Sequence, residues 1–398
     1  MGIETEWGVN SLALILAIVS LLIWVTLTFL RGAFWQFLEF DDDLSRQETL
    51  ACWPRVATIV PARDEAETIG RTVDSLVKQD YPGEMRLVVV DDHSEDGTGE
   101  LALESAERAG ARQRVLILRS AALEGGWTGK LLAMQQGVEC SVAREADFFW
   151  FTDADIEHAP DTLRRIVQRA ERDKLDLVSL MALSQVNSFP ERLLIPPFLY
   201  FFLKLYPPSW IASRTRKTAG AAGGCILLRR TALERIGGLA AIRGEVIDDC
   251  TMARAVKRTG GGLWMGLTRK SVSLRTYTSF TEIQDLIART AFTQLGYSVL
   301  ALAGTLLGMS VTYLLPVIIT FSAQAVAWRL GMAAWALMAI TYLPTVRFYR
   351  MSPLWAAALP LAAAFYTYAT WLSAVRYWLG RGGQWKGRAQ APVKSSAE

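Results

Sequence analysis

The residues of this 398-residue chain best suited to chemistry are carboxylates that follow apolar runs. "FFWFTDAD" places Asp153 and Asp155 one residue apart, "VVVDDHS" carries Asp91 and Asp92, and "IVPARDE" carries Ala62, Asp64 and Glu65. Carboxylates gathered on one sheet edge repel, and they need a cation or hydrogen-bond donors to offset that cost. An Asp-x-Asp pair suits a hard divalent ion. Mg2+ and Mn2+ take oxygen ligands, use one or two protein carboxylates, and complete the shell with phosphate oxygens. Asp155 and Asp153 are therefore candidate ligands for Mg2+ or Mn2+. On these residues alone, a second reading is equally open, in which they cap the helix that "PDTLRRIV" begins.

Two further clusters extend the pattern. In "EGGWTGKLLAM", Gly125, Gly126 and Gly129 allow close backbone approach and Lys130 opens a helix, whose N-terminus favours anions. The spacing is not that of a P-loop, and a plain glycine loop explains it as well as a phosphate site does. "GEVIDDCTMARAVKRTG" sets Asp248 and Asp249 at a helix start. The helix N-terminus accounts for one carboxylate there. The second invites a role as general base toward a hydroxyl.

These residues need a scaffold. From about Trp53 to Thr281, apolar runs ("RVATIV", "MRLVVVD", "RVLILR", "DFFWFTD", "LDLVSLMAL") alternate with helical patterns. That alternation predicts an α/β fold with a mostly parallel, helix-covered sheet, whose ligands sit at the carboxyl ends of the strands. The chain is 51% hydrophobic and 20% charged, too apolar for an ordinary soluble domain. Residues 9–30 form an uncharged run of membrane-spanning length followed by Arg31. They read as an uncleaved anchor with the N-terminus outside and Arg31 in the cytoplasm. About three more spans are expected over 298–378, where Pro316 or Pro360 marks a segment that could be re-entrant. The basic tail 379–398 is expected to be disordered. Its charge argues for the inside, whereas three spans would put it outside. Residues 189–217 combine aromatic residues, prolines, Lys204 and "RTRK", which predicts an interfacial helix on anionic headgroups rather than a clean transmembrane one, a large buried insertion being the alternative. A net charge of +3 is too small to argue for nucleic acid. The four cysteines are scattered and there are two histidines, so neither a disulfide framework nor a His/Cys zinc site is expected.

Taken in order, "VPARDE", "VVVDDHSEDGT", "GKLLAM", "FTDADI", "AGGCILLRRTAL" and "VIDDCTMARAVKRTG" resemble the family 2 glycosyltransferases, whose fold is called GT-A, over roughly Arg55 to Thr293. With its apolar ends the chain looks most like the bacterial hopene-associated glycosyltransferases, and it is similar to ceramide and membrane carotenoid glycosyltransferases. The resemblance implies that Ala62, Glu65, Asp91 and Asp92 hold the base and ribose of a nucleotide-sugar. It places Lys130 near the nucleotide and diphosphate, Asp155 on the metal and Asp153 nearer the ribose. It assigns the stretch with Gly223 and Gly224 to the acceptor pocket and makes Asp249 the general base, supported by Asp248. Processive relatives carry Q-x-x-R-W, but here the region reads "QDLIARTAFTQLGYS". Arg289 either faces the diphosphate or lies at the membrane interface, and the missing tryptophan points to a single sugar transfer.

The expected organisation is an anchor at 9–30, a cytoplasmic GT-A domain at 53–297, spans over 298–378 and a tail. The expected protein is a multi-pass enzyme of the bacterial inner membrane that moves one sugar, from a UDP-sugar or similar donor, to a lipid hydroxyl. A lipid nucleotidyl- or phosphotransferase, or a non-enzymatic membrane scaffold, are the alternatives. Protein partners are not legible.

Overall fold

The apolar runs form strands where periodicity places them, and three further strands join them. The computed structural model describes residues 2–41, 50–123, 125–380, 384–385 and 388–389. The strands are β1 (Val56–Ala62), β2 (Met85–Asp91), β3 (Val115–Arg119), β4 (Phe148–Phe151), β5 (Ile156–His158), β6 (Leu177–Leu183), β7 (Ile226–Arg229) and β8 (Leu263–Ser273). They make one sheet in the order β3-β2-β1-β4-β7-β6-β8-β5. β3, β2, β1 and β4 run parallel, and so do β6 and β8, while β7 and β5 run antiparallel to their neighbours. The expected α/β, mostly parallel GT-A arrangement is the one observed.

The reason is burial. Every residue of β1 and β4 is buried, and Val56, Phe148 and Trp150 pack in one core with Leu163 and Ile166 of the helix Thr162–Arg172. Strands buried on both faces read as unbroken apolar runs. The chain runs outward from β1 to β2 and β3, then returns to place β4 on the other side of β1. The strand order therefore switches between β1 and β4, where open α/β sheets bind ligands. In this register Ala62 lies opposite Asp91.

The chain divides into two compact units. The sheet unit comprises residues 39–185, 208–275 and 383–398, so it starts before Trp53. Trp264 Nε1 donates to Glu39 at 2.6 Å, and Thr268 Oγ1 donates to Asp41 at 2.8 Å, which ties that early segment to β8. In the tail, Gln384–Trp385 pairs antiparallel with Arg388–Ala389. The disorder expected for the rest of the tail falls on residues outside the described ones.

The other unit holds residues 1–38, 186–207 and 276–382. Among the described residues four helices are long and apolar enough to cross a membrane: Ser11–Leu30, Val299–Thr320, Ala325–Phe348 and Pro353–Trp378. The segment with Pro316 carries a π-helical turn at Ser310–Leu314, and Pro360 sits in the first turn of its helix, where proline is tolerated. The stretch 189–217 is split between the units. Phe189–Leu205 is a continuous helix despite Pro196 and Pro197. Ser188 and Glu191 close its start as a reciprocal capping box, and Arg31 Nε donates to the Lys204 carbonyl at its end, at 3.0 Å. Its Tyr200 hydroxyl meets Thr341 Oγ1 at 2.8 Å, so this half is packed among the other helices. The remaining half forms the short helix Pro208–Ala212 and an exposed loop with Arg214, Arg216 and Lys217 in the sheet unit.

Candidate active site

Loops after β1 and β2 form one side of the site. Asp92 N–H donates to the Ala62 carbonyl at 2.8 Å. Asp64 and His93 adopt left-handed φ angles of 49° and 56°, and side chains from each loop hold the other. Asp64 Oδ1 accepts from Glu95 N–H at 2.9 Å, Asp64 N–H donates to Ser94 Oγ at 3.0 Å, and Glu65 N–H donates to Thr98 Oγ1 at 2.8 Å. Asp91 Oδ1 accepts from the Ser94 N–H and hydroxyl at 2.9 and 2.5 Å. Asp92 is buried, with its carboxylate 3.7 Å from the Arg63 guanidinium. Asp91 thus ends β2 and Asp92 follows it, Asp91 being the more exposed residue.

Across the switch point stands the Asp153-Ala154-Asp155 loop. β4 ends at Phe151, β5 starts at Ile156, and the following helix starts at Thr162 with Asp161 at its N-cap position. The helix-capping reading of Asp153 and Asp155 is therefore excluded, because both precede β5. The loop is pinned at its centre: Thr68 Oγ1 and Thr72 Oγ1 donate to the Ala154 carbonyl at 3.1 and 2.9 Å. Burial, then the carboxylates of Asp153 and Glu65, push Asp155 up to about 6, against the pull of Arg275. The Arg275 guanidinium lies 3.8 Å from Glu65 Oε1.

Lys130 lies in the first turn of the helix Gly129–Glu139, whose N-cap Thr128 accepts from Leu131 N–H at 3.3 Å. Ahead of it Gly126 takes a φ of 85°, a left-handed turn that glycine adopts freely. Lys130 Nζ bridges Asp153 Oδ1 at 2.9 Å and Asp248 Oδ2 at 3.3 Å. Burial works to lower its pKa, but the charges of Asp153, Asp248 and Asp249 outweigh that and hold the ammonium well above its ordinary value.

Asp248 and Asp249 open the helix Asp248–Arg258. Asp249 Oδ1 accepts from Cys250 N–H at 2.6 Å, and its Oδ2 accepts from Gly223 N–H at 3.0 Å. Burial and then Asp248 push Asp249 up to about 6, against Lys130. Gly223 is the point of convergence. A Cβ there would stand 3.4 Å from Asp249 Oδ2, 3.4 Å from Lys130 Nζ and 3.8 Å from Asp153 Oδ2. At the next residue, Gly224, a Cβ would stand 3.3 Å from the Ile156 side chain. Arg289 lies half-buried on the helix Phe280–Gln294 of the other unit.

Among the described residues no group of three or more His, Cys, Asp and Glu side chains is arranged to hold a metal ion. The donor set still fits Mg2+ or Mn2+. Asp155 is crowded by Asp153 and Glu65 and resists ionising without added positive charge, and such ions need few protein carboxylates when a diphosphate supplies the remaining oxygens. The sequence reading missed Thr68, Thr72 and Arg275. Each acts through the fold, and hydroxyls at helix starts and strand ends carry no pattern that separates them from caps.

Residues 57–237 match the family described as Glycosyl transferase family 2. The match ends before Asp248. A probable glycosyltransferase, YdaM of Bacillus subtilis, is 31% identical over 93 residues, 22% of this chain and 22% of that protein. The beta-monoglucosyldiacylglycerol synthase of Synechocystis is 35% identical over 119 residues, 29% of this chain and 22% of that protein. The alignments thus span about a fifth of the length of these curated relatives. Among solved structures, the mannosyltransferase PcManGT of Pyrobaculum calidifontis, in complex with GDP-Man and Mn2+, is 19% identical with a TM-score of 0.53. That likeness covers 93% of this chain and 98% of the other, and it shows a shared fold.

Proposed function

We propose that this chain, which carries a family 2 glycosyltransferase domain at residues 57–237, is a membrane-bound inverting transferase. It moves one sugar from a nucleoside-diphosphate sugar, a UDP-sugar in our reading, to a lipid hydroxyl. The observation that carries this is the convergence of Asp249, Lys130 and Asp153 around Gly223, each within 3.8 Å of one point. In this reading Asp249 as base, Lys130 as cation and Asp153 would flank the anomeric carbon and the attacking oxygen.

The step balances with these residues. Asp249 accepts the proton of the acceptor hydroxyl, its raised pKa suiting it to proton transfer near neutral pH. The oxygen forms its bond to the anomeric carbon on the face opposite the diphosphate. The bond from that carbon to the diphosphate oxygen breaks, and the nucleoside diphosphate leaves with the electron pair. Lys130 balances charge as the leaving group forms. Gly223 N–H fixes the base. Asp155 and Asp153 would hold Mg2+ or Mn2+, which when bound neutralises the diphosphate.

The lipid acceptor rests on the four apolar helices and on the likeness to a diacylglycerol glucoside synthase, and a hopanoid role rests on the resemblance alone. In this reading the sheet unit is cytoplasmic at a bacterial inner membrane, with the exposed Arg214, Arg216 and Lys217 facing anionic headgroups. The test is the product. Purified chain is incubated with Mn2+, UDP-sugars and a bacterial lipid extract, and new lipids are identified by mass. A single hexose adduct supports transfer of one sugar, whereas a nucleotide or phosphate adduct overturns it in favour of phosphoryl chemistry.

A further inference from the structure

His158 is buried, and both of its ring nitrogens face hydroxyls. Nε2 lies 2.8 Å from Thr152 Oγ1, Nδ1 lies 2.8 Å from Ser271 Oγ, and the ring packs 4.8 Å from the Trp150 indole. Thr152 Oγ1 also lies 2.9 Å from the carbonyl oxygen of Gly224. A hydroxyl carries one proton, and a carbonyl can only accept. Thr152 therefore donates to Gly224 and must accept from the histidine, so Nε2 carries the ring proton. Nδ1 is then an acceptor, and Ser271 donates to it. The result is a directed chain: Ser271 O–H to Nδ1, Nε2–H to Thr152, and Thr152 O–H to the Gly224 carbonyl. Burial drops the imidazole to about 3, which keeps it neutral as the chain requires.

The last two members of the chain adjoin the reaction centre. Thr152 precedes Asp153, and Gly224 follows Gly223, whose N–H holds Asp249. Ser179 Oγ braces the same turn from β6, accepting from Ala222 N–H at 2.8 Å. We propose that His158, as the neutral Nε2–H tautomer, is a positioning residue whose single hydrogen-bond chain sets both the Asp153–Asp155 loop and the backbone donor that aims Asp249. A core histidine with a merely structural role would show the same tautomer, but its loss would lower stability without lowering kcat or the affinity for Mn2+–UDP in the folded protein.

The inference rests on the transferase reading, so its test has one arm that needs no turnover. In [15N]histidine-labelled protein only His93 and His158 give ring signals, and His93→Gln assigns them. The expected His158 pattern is a protonated Nε2 and an unprotonated accepting Nδ1. The reverse tautomer overturns the chain. In the second arm, kcat and the affinity for Mn2+–UDP are measured for His158→Leu, Thr152→Val, the double variant and His158→Gln. Each single variant is expected to lose about tenfold, on the scale expected when one hydrogen bond that positions a reacting group is lost. The double variant should lose no more than the worse single, and His158→Gln, which keeps a donor, should recover most of the loss. Additive losses, or wild-type values in Thr152→Val, overturn the positioning role, and Thr152→Val decides the point if His158→Leu does not fold. If the wild type transfers no sugar, the transferase reading fails, while the nitrogen signals and the Mn2+–UDP affinities still decide this one.

Discussion

At the ends of β1 and β2 the carboxylates are answered locally. Asp96 accepts from Ala66 N–H at 3.0 Å and from the Thr98 hydroxyl at 2.5 Å, and these bonds hold it below its ordinary pKa despite the burial that opposes them. Across the switch point the balance is opposite. Asp153, Asp248 and Asp249 are drawn around Lys130, and burial with like charge pushes Asp155 and Asp249 up to about 6. On one edge most carboxylates are satisfied by local hydrogen bonds. The other is short of positive charge, which in the proposed reading a divalent cation bound with the diphosphate would supply.

The comparison can be broken at several points. The largest effect is expected at the base. Asp249→Asn should lower the transfer rate by about 10²- to 10⁴-fold, with donor affinity nearly unchanged in equilibrium binding. A rate near wild type would remove Asp249 from the chemistry. Next comes Asp155→Asn. It should abolish dependence on added Mn2+ along with most activity, yet raise the thermal midpoint of the metal-free protein by about 2–6 °C, because it relieves carboxylate repulsion. Asp96→Asn, on the hydrogen-bonded edge, should lower that midpoint instead. A shared direction would erase the contrast.

The pH dependence sharpens the same point. A base must be unprotonated, so with Asp249 raised to about 6 the rate should fall tenfold per pH unit below about pH 6, well above the ordinary carboxylate range. Stability runs the other way. A carboxyl whose native pKa is raised binds its proton more tightly folded than unfolded, so metal-free protein should become more stable as pH falls from about 6 toward 4. Melting curves across that range test the sign. The smallest effect is expected from Gly223→Ala. The added methyl meets its neighbours at 3.4 Å, an ordinary contact, so the fold should hold. The methyl takes up space beside the reacting groups, and the cost should be on the order of tenfold in kcat/KM, the scale of one misplaced methylene-sized group.

Much of this was legible in the chain itself, for a physical reason. Strands such as β1 and β4 are buried on both faces, so their apolar runs stand out, and the carboxylates that follow them mark the edge proposed to bind the ligand. Apolar helices of membrane length are equally plain. β5 has three residues and β7 has four, too short for a pattern. The Lys130 bridge joins residues 23 and 118 positions apart, a pairing that only the folded sheet creates. His158 carries no local signature either, since its meaning comes from Ser271, more than a hundred residues away. A helix was expected within 189–217, but its extent was not legible, because Pro196 and Pro197 interrupt the pattern locally yet sit inside the helix Phe189–Leu205 that tertiary packing retains.

The central claim is that the reaction side of the cleft is completed by a divalent ion and a nucleoside diphosphate together. The direct measurement is the thermal midpoint of the detergent-purified chain with Mn2+ alone, UDP alone and both, in wild type and in Asp155→Asn. The account predicts a rise with both that exceeds the sum of the separate rises, and its loss in Asp155→Asn. Equal stabilisation by UDP with and without Mn2+, or a synergy that survives in Asp155→Asn, would contradict it.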